Sequence, residues 1–366
     1  MLDDPIRPRF SVRLRQWVRT HKKASYAIAG TALLLISSVA VIFLFFQKPA
    51  EPAPEPEVSK PAPKPEPVIY YSPLTGEKIA SEADKTALVT AIMIENSPDA
   101  RPQSGIKDAG VVYEAIAEGG ITRFLALYQN KKPSLVGPVR SLRMYYVDWL
   151  APYNASVAHV GGSLNALNEI RNGSYRDIDQ FFNDDTYWRA SDRYAPHNVY
   201  TSFENLDALN KAKGYTESTF LSFPRVDGAP AAEPNATTIT INFSSPSYNT
   251  TYSYDKESNS YLRFLGGVAH SDREAGQITP SVVIALRVDM QHVMEDGYRE
   301  QIITTGTGSA VLFQNGTAEE VTWHKADRAS PLRLTNSAGE DIPLVRGQTW
   351  IAAVPTTGGG GISWQP

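Results

Sequence analysis

Arg140 and Arg143 stand three residues apart just after Gly137-Pro138, and that spacing is the sharpest chemical signal in the sequence. A Gly-Pro turn leading into a helix over residues 140–150 would put both guanidiniums on one helical face near its start. The first turn of a helix also offers unbonded N–H groups and the positive end of its dipole. Arginines at such a place supply paired donors that match a phosphate or a carboxylate. The same two side chains would equally serve as internal partners of Glu114, Glu118 or Asp148.

Glu114, Glu118 and Arg123 flank Gly119-Gly120, a pair suited to a two-residue hairpin turn. With the turn centred there, Glu118 faces Ile121, Ile116 faces Arg123 and Glu114 faces Leu125. Alternate residues of a strand share a face, so Glu114, Glu118 and Arg123 are expected on one face of the hairpin. The two carboxylates would lie about 13 Å apart along the strand, beyond the roughly 5–9.5 Å of a glycosidase pair. An arginine between two glutamates is as much a structural bridge as a ligand site.

His159-Val160-Gly161-Gly162-Ser163 follows an apolar run and precedes a helical pattern. Its glycines let backbone approach a ligand closely. Ser163 reads as a helix N-cap, because the G-x-S-x-G elbow of a serine nucleophile is missing. His197 and Asn198 close a loop that also holds Arg189 and Arg193. A lone histidine is ordinarily structural, but two in shaped loops beside arginines make His159 and His197 the acid–base candidates. The candidate ligand set is Glu114, Glu118, Arg123, Arg140, Arg143, Gly161, Gly162, Ser163, Arg189, Arg193 and Asn198.

Several chemistries are excluded. The chain has no cysteine, hence no disulfide, thiol nucleophile or Cys-ligated metal. The six histidines show no metal-ligand spacing, and the acidic stretch Asp177, Asp179, Asp184, Asp185 lacks the glycine of a calcium loop, so no metal is expected. Phosphate-loop and dinucleotide fingerprints are missing too, and no cofactor is expected. Charge divides sharply. Residues 1–48 hold eight Lys/Arg against Asp3 and Asp4, leaving 27 Lys/Arg against 37 Asp/Glu in the remainder. An acidic body argues against nucleic acid as a partner.

The elements that must position these residues fall into an α+β fold behind a membrane anchor. Residues 24–47 carry no charge and are long enough for a transmembrane helix, with the basic segment 1–23 on its cytoplasmic side. A cleaved signal peptide would be shorter and end in small residues, whereas this run ends Phe45-Phe46-Gln47-Lys48-Pro49. Residues 48–68 alternate proline with Ala, Glu and Lys, a semi-rigid linker reaching roughly 60 Å at about 3.1 Å per residue. Beyond it, residues 69–224 mix strand and helix patterns, with helices over 140–150, 163–171 and 203–213. Residues 235–355 read as a mostly-β domain with a hairpin turn at Gln314-Asn315-Gly316, and 356–366 as a flexible tail. The expected location is the cell membrane, single-pass, with the bulk extracytoplasmic.

These motifs together resemble the YerB-like family of bacterial surface lipoproteins. The resemblance rests on Glu95-Asn96-Ser97, Ala100 to Gly105, Tyr113-Glu114, Glu118 to Arg123 and Val136 to Arg143. It continues through His159 to Ser163, Ala195 to Asn198, Tyr261-Leu262-Arg263 and Gly347 to Ile351. It covers nearly everything beyond the linker and implies an extracytoplasmic protein with an N-terminal and a C-terminal domain. It brings no activity and no catalytic residue. The chain departs from the family in having no cysteine to carry a lipid; an apolar helix stands in its place. The expected function is binding of a polar or anionic envelope ligand, a cell-wall polymer or anionic glycan. The alternatives are an envelope hydrolase or phosphodiesterase using His and Arg, and a protein-interaction scaffold.

Overall fold

Apolar runs without alternation mark strands covered on both faces. Thr90–Glu95 (β1) is buried at every position, and Val111–Glu118 (β2) and Ile121–Tyr128 (β3) are nearly so. The computed structural model describes residues 10–46, 68–292 and 299–366, so the linker expected over 48–68 lies, but for Val68, outside the described residues. The chain divides into two units, Met1–Glu66 and Pro67–Pro366.

The described residues of the first unit form two helices, α1 (Phe10–Thr20) and α2 (Lys22–Phe46). By length and composition α2 can cross a membrane.

The second unit is built on a ten-stranded sheet. Its remaining strands are Ser156–His159 (β4), Arg176–Asp179 (β5), Val282–Val288 (β10), Gly306–Gln314 (β11), Thr317–Lys325 (β12), Arg333–Thr335 (β13) and Thr349–Pro355 (β14). The order is β13-β12-β11-β10-β14-β2-β3-β1-β4-β5. The late strand β14 lies parallel to both β10 and β2, so the 69–224 and 235–355 regions share one sheet across that seam. A second, five-stranded sheet is made of Thr238–Asn242 (β6), Thr250–Asp255 (β7), Ser260–Leu265 (β8), Val268–Ala269 (β9) and Gly361–Gln365 (β15). Here burial alternates along β6, as expected of a sheet with one covered face.

Three helices of the second unit matter to the site: α3 (Met144–Leu150), α4 (Leu164–Asn172) and α5 (Phe203–Ala212). Tyr145, Tyr146 and Trp149 of α3 pack with Tyr113, Leu125 and Met93 on one face of the large sheet. Phe124, Trp350, Phe203 and Leu206 form the core of the opposite face. Ile239, Ile241, Tyr252, Val283 and Phe313 join the five-stranded sheet to the large one.

Three expectations are corrected. Residues 356–366 are not a loose tail: β15 pairs antiparallel with β6 from Thr238↔Gln365 to Asn242↔Gly361. The helix expected over 140–150 begins only at Met144, because the preceding backbone is spent on sheet-like bonds. Arg140 N–H donates to Met93 O at 2.9 Å, Val139 N–H to Val199 O at 2.7 Å and Leu142 N–H to Gly161 O at 3.0 Å. The hairpin turn at Gly119-Gly120 is present, both glycines having positive φ (55° and 78°). However, a β-bulge lies between Ile116 and Glu118. It moves the register by one, so that Glu114 faces Phe124 and Ala115 faces Arg123.

Candidate functional site

The bulge decides which carboxylates meet. An extra residue on one strand reverses the facing of everything beyond it. Glu118 therefore joins Arg123 on the α3 side, while Glu114 points to the other. Two tyrosines of α3 satisfy the disturbed ladder: Tyr145 Oη donates to Ile116 O at 2.7 Å, and Tyr146 Oη bonds Ala115 O at 3.2 Å and Arg123 O at 2.6 Å.

On the α3 side a row of charged side chains runs across the strand ends. Glu95, at the end of β1, is the register partner of Arg123. Its side chain is 5 % exposed. Oε1 accepts from Ser97 Oγ at 2.9 Å and lies 2.9 Å from His197 Nδ1 and 3.3 Å from Arg140 Nε. Its other oxygen, Oε2, is buried and has no hydrogen-bond partner among the described residues. Arg123 donates to Ser141 O at 2.7 Å and to Glu118 Oε2 at 3.2 Å. Arg143 closes on the same Glu118 carboxylate.

Arg140 and Arg143 thus serve different carboxylates. In an extended segment, residues three apart point to opposite sides, and only a helix would have aligned them. The Arg140 guanidinium is 25 % exposed. Burial lowers its pKa most; Glu95 opposes that shift and nearby Arg123 adds to it.

His197 is 22 % exposed, and both its ring contacts, to Glu95 and to Ser97 Oγ at 3.1 Å, are made through Nδ1. The loop that presents it is held by the residues the sequence had marked as ligands. Arg193 donates to Asp99 O at 3.0 Å and Pro102 O at 2.6 Å. Arg189 donates to Asn198 Oδ1 at 2.8 Å, and Asn198 Nδ2 to Ala190 O and Arg193 O, each at 3.2 Å.

Other candidates are structural. His159 is 0 % exposed, with Nδ1 2.8 Å from Gly161 O and Nε2 2.9 Å from Asp177 Oδ1, so no ring nitrogen is left for a substrate. Burial raises the Asp177 pKa, but the His159 contact and the Asp179 N–H outweigh it and leave the net shift downward. Gly161 donates its N–H to Asp179 Oδ1 at 3.0 Å, and at φ +59° a Cβ would stand 2.9 Å from the Phe181 ring. Gly162 packs against the Leu142 carbonyl. Ser163 caps α4, its Oγ accepting from Ala166 N–H at 3.4 Å. Beside the row, Arg143, Asp148, Ser163, Arg299 and Arg328 line a cavity of about 300 Å³.

Glu114 belongs to a separate cluster on the other face and is fully enclosed. Its Oε1 accepts from Thr122 at 3.0 Å, and its Oε2 from Arg263 at 2.8 Å and Trp350 Nε1 at 2.9 Å. Arg263, also enclosed, donates to Tyr252 Oη at 3.1 Å and to His270 Nδ1 at 2.9 Å, and lies 4.2 Å over the Trp350 ring. His270 Nε2 meets Gln103 Oε1 at 2.9 Å. A ligand cannot reach Glu114.

Glu95 and Ser97 are the residues that sequence reasoning missed as site members. The available signal was a carboxylate closing an otherwise apolar strand, where burial of a charge demands partners.

A ten-stranded sheet shared by two sequence regions, with charged residues gathered at its strand ends, defines the class. The chain belongs to the DUF3048 family of proteins of unknown function, whose N-terminal domain matches residues 74–216 and whose C-terminal domain matches residues 239–351. It is 34% identical over 297 residues to the Bacillus subtilis (strain 168) protein named "Putative lipoprotein YerB", across 80% of this chain and 88% of that one. The crystal structure of YerB protein from Bacillus subtilis superimposes with a TM-score of 0.72 at 30% identity, covering 80% of this chain and 99% of that one. That kinship and α2 together support a membrane-anchored surface protein.

Proposed function

We propose that this is a single-pass envelope protein, its N-terminus cytoplasmic and its outer unit carried on the proline-rich linker. The outer unit binds an anionic ligand, a wall polymer fragment or phosphorylated glycan, at Arg140, Glu95 and His197. One observation carries the reading: a nearly enclosed carboxylate holds a half-open guanidinium and a half-open imidazole side by side, with its second oxygen unpartnered. Burial chiefly lowers the Arg140 pKa and Arg123 adds to that shift, and an anion placed on Arg140 offsets both. A hydroxyl on the same ligand can meet His197 Nε2.

The test is retention of the outer unit, residues 67–366, on isolated cell walls. Retention that falls with Arg140→Ala and with His197→Ala, at unchanged circular dichroism, supports the site. Retention unaltered by both changes refutes it.

A second reading is an envelope hydrolase. It is favoured by the Glu95–His197 contact at 2.9 Å, which turns Nδ1 inward and leaves Nε2 outward, the orientation of a general acid or base. Soluble wall fragments seen by mass spectrometry with the native chain and lost with His197→Ala would establish it.

A further inference from the structure

The helix α1 carries a pattern that neither the outer site nor the span uses. Phe10, Leu14, Trp17 and Val18 recur at i, i+4, i+7 and i+8, the spacing of a single helical stripe. All four are exposed, at 79%, 50%, 42% and 43%. Arg15, Arg19 and Gln16 lie on the opposite side with Val12, and Arg13 and Thr20 flank them. From Phe10 to Lys23 there are five basic residues (Arg13, Arg15, Arg19, Lys22, Lys23) and no acidic one. His21 alone separates this helix from α2.

A helix of 11 residues is marginal in water unless its apolar face is covered. No residue of α1 is buried, so among the described residues of its unit nothing covers the stripe. Continuity with α2 sets where that cover is, because the start of α2 fixes α1 within a turn of the bilayer surface. The charge sets its kind. An unbroken set of arginines and lysines is attracted to anionic lipid headgroups, and an indole favours the interfacial depth.

We propose that α1 docks its Phe10–Leu14–Trp17–Val18 stripe into the cytoplasmic-leaflet interface of the membrane that α2 crosses, its arginines lying on anionic lipid. This rests on the single-pass reading given above. The anchor then has two parts: a span that holds the chain, and a surface helix that senses the lipid composition of the inner leaflet.

The chain has no cysteine, so single cysteines can be placed in the full-length protein and labelled with a nitroxide without background. The informative variants are Leu14→Cys, Arg15→Cys and, as a control in α2, Val39→Cys. They are reconstituted in vesicles of phosphatidylcholine with or without phosphatidylglycerol. Collisions are measured with oxygen, which concentrates in lipid, and with a water-soluble nickel chelate. With phosphatidylglycerol present, the oxygen-to-chelate ratio is expected several-fold higher at Leu14 than at Arg15. The difference is expected to shrink in phosphatidylcholine alone.

Equal ratios at the two positions in anionic vesicles, with Val39 still protected, would overturn the docking while leaving the span intact. Protection of Leu14 from both reagents in either lipid would overturn it in favour of a protein contact. Val39 open to the chelate would overturn the spanning reading and the proposal with it. Reaction of Arg15→Cys with an impermeant maleimide in intact spheroplasts would refute the inner-leaflet side.

Discussion

The two faces of the large sheet each hold a buried carboxylate, and the two are treated differently. On one face both oxygens of Glu114 are occupied, and the bonds continue without a gap from Arg263 to Tyr252 and His270, and from His270 to Gln103. On the other face Glu95 gathers Ser97, His197 and Arg140 on one oxygen and leaves the second without a partner among the described residues. Buried polar groups are almost always paired, so a closed network is what a structural joint requires. The partners of Glu114 place the joint: Thr122 comes from the first family region, Arg263 and Trp350 from the second. The incomplete cluster at Glu95 is partly open at His197 and Arg140, the place where the proposed ligand would complete it.

Breaking the closed network is expected to have the largest effect. Glu114→Ala leaves the enclosed Arg263 guanidinium without its counter-charge, a loss of about 3–5 kcal/mol. Denaturant unfolding of residues 67–366 measures it. A loss below about 1 kcal/mol, the range of an exposed ion pair, would mean that the network does not join the two regions. Replacing both partners, with Glu114→Met and Arg263→Met together, should recover much of the loss, because no unpaired charge then remains.

Acid sharpens the comparison next. Burial foremost, then Arg263 and Arg101, holds the His270 pKa well below its ordinary value. The unfolded chain therefore binds a proton near pH 6.5 that the folded chain refuses. The stability from this group is complete above about pH 6.5 and is lost as pH falls toward the folded pKa, by at most about 1.4 kcal/mol per pH unit. The measurement is the unfolding free energy from pH 7 downward. In His270→Gln this slope should vanish from the acid limb, and an unchanged slope would assign the acid sensitivity to other groups.

Much of this arrangement was legible in the sequence where local pattern suffices. The glycine pair located the hairpin turn between β2 and β3, and Ser163 was readable as a cap. What escaped depends on partners distant in sequence. The bulge at Ala117 is supported by two tyrosines of a later helix, and no spacing rule near Glu114 reveals it. Residues 140–142 were read as helical because their extended form is imposed by backbone bonds to Met93, Val199 and Gly161. The strand Gly361–Gln365 looked like a tail because a glycine run precedes it, while its pairing partner lies more than a hundred residues earlier. Glu95 was overlooked because its importance lies in His197, distant in sequence.

The glycine turn tests whether the boundary between structure and site is drawn correctly. Ser163→Ala removes the cap of α4 at a cost of about 1 kcal/mol. Retention on cell walls should not change, because the Ser163 hydroxyl already meets Ala166 N–H at 3.4 Å. Lost retention at preserved stability would move the site toward the cavity that Ser163 lines with Arg143.

The smallest effect on stability is expected where the effect on function is greatest. His197 contributes a half-open ring whose contacts all run to groups that keep other partners: Glu95 retains Ser97 and Arg140, and Ser97 retains Glu95. His197→Ala should therefore shift the unfolding free energy by less than about 1 kcal/mol, the range of a single partly exposed hydrogen bond. Arg140→Ala should do little more, since it removes a cation whose burial already works against it. Both should abolish wall retention. If instead either change destabilises the chain as severely as Glu114→Ala, Glu95 is the centre of a second structural joint, and the contrast between the two faces of the sheet is lost.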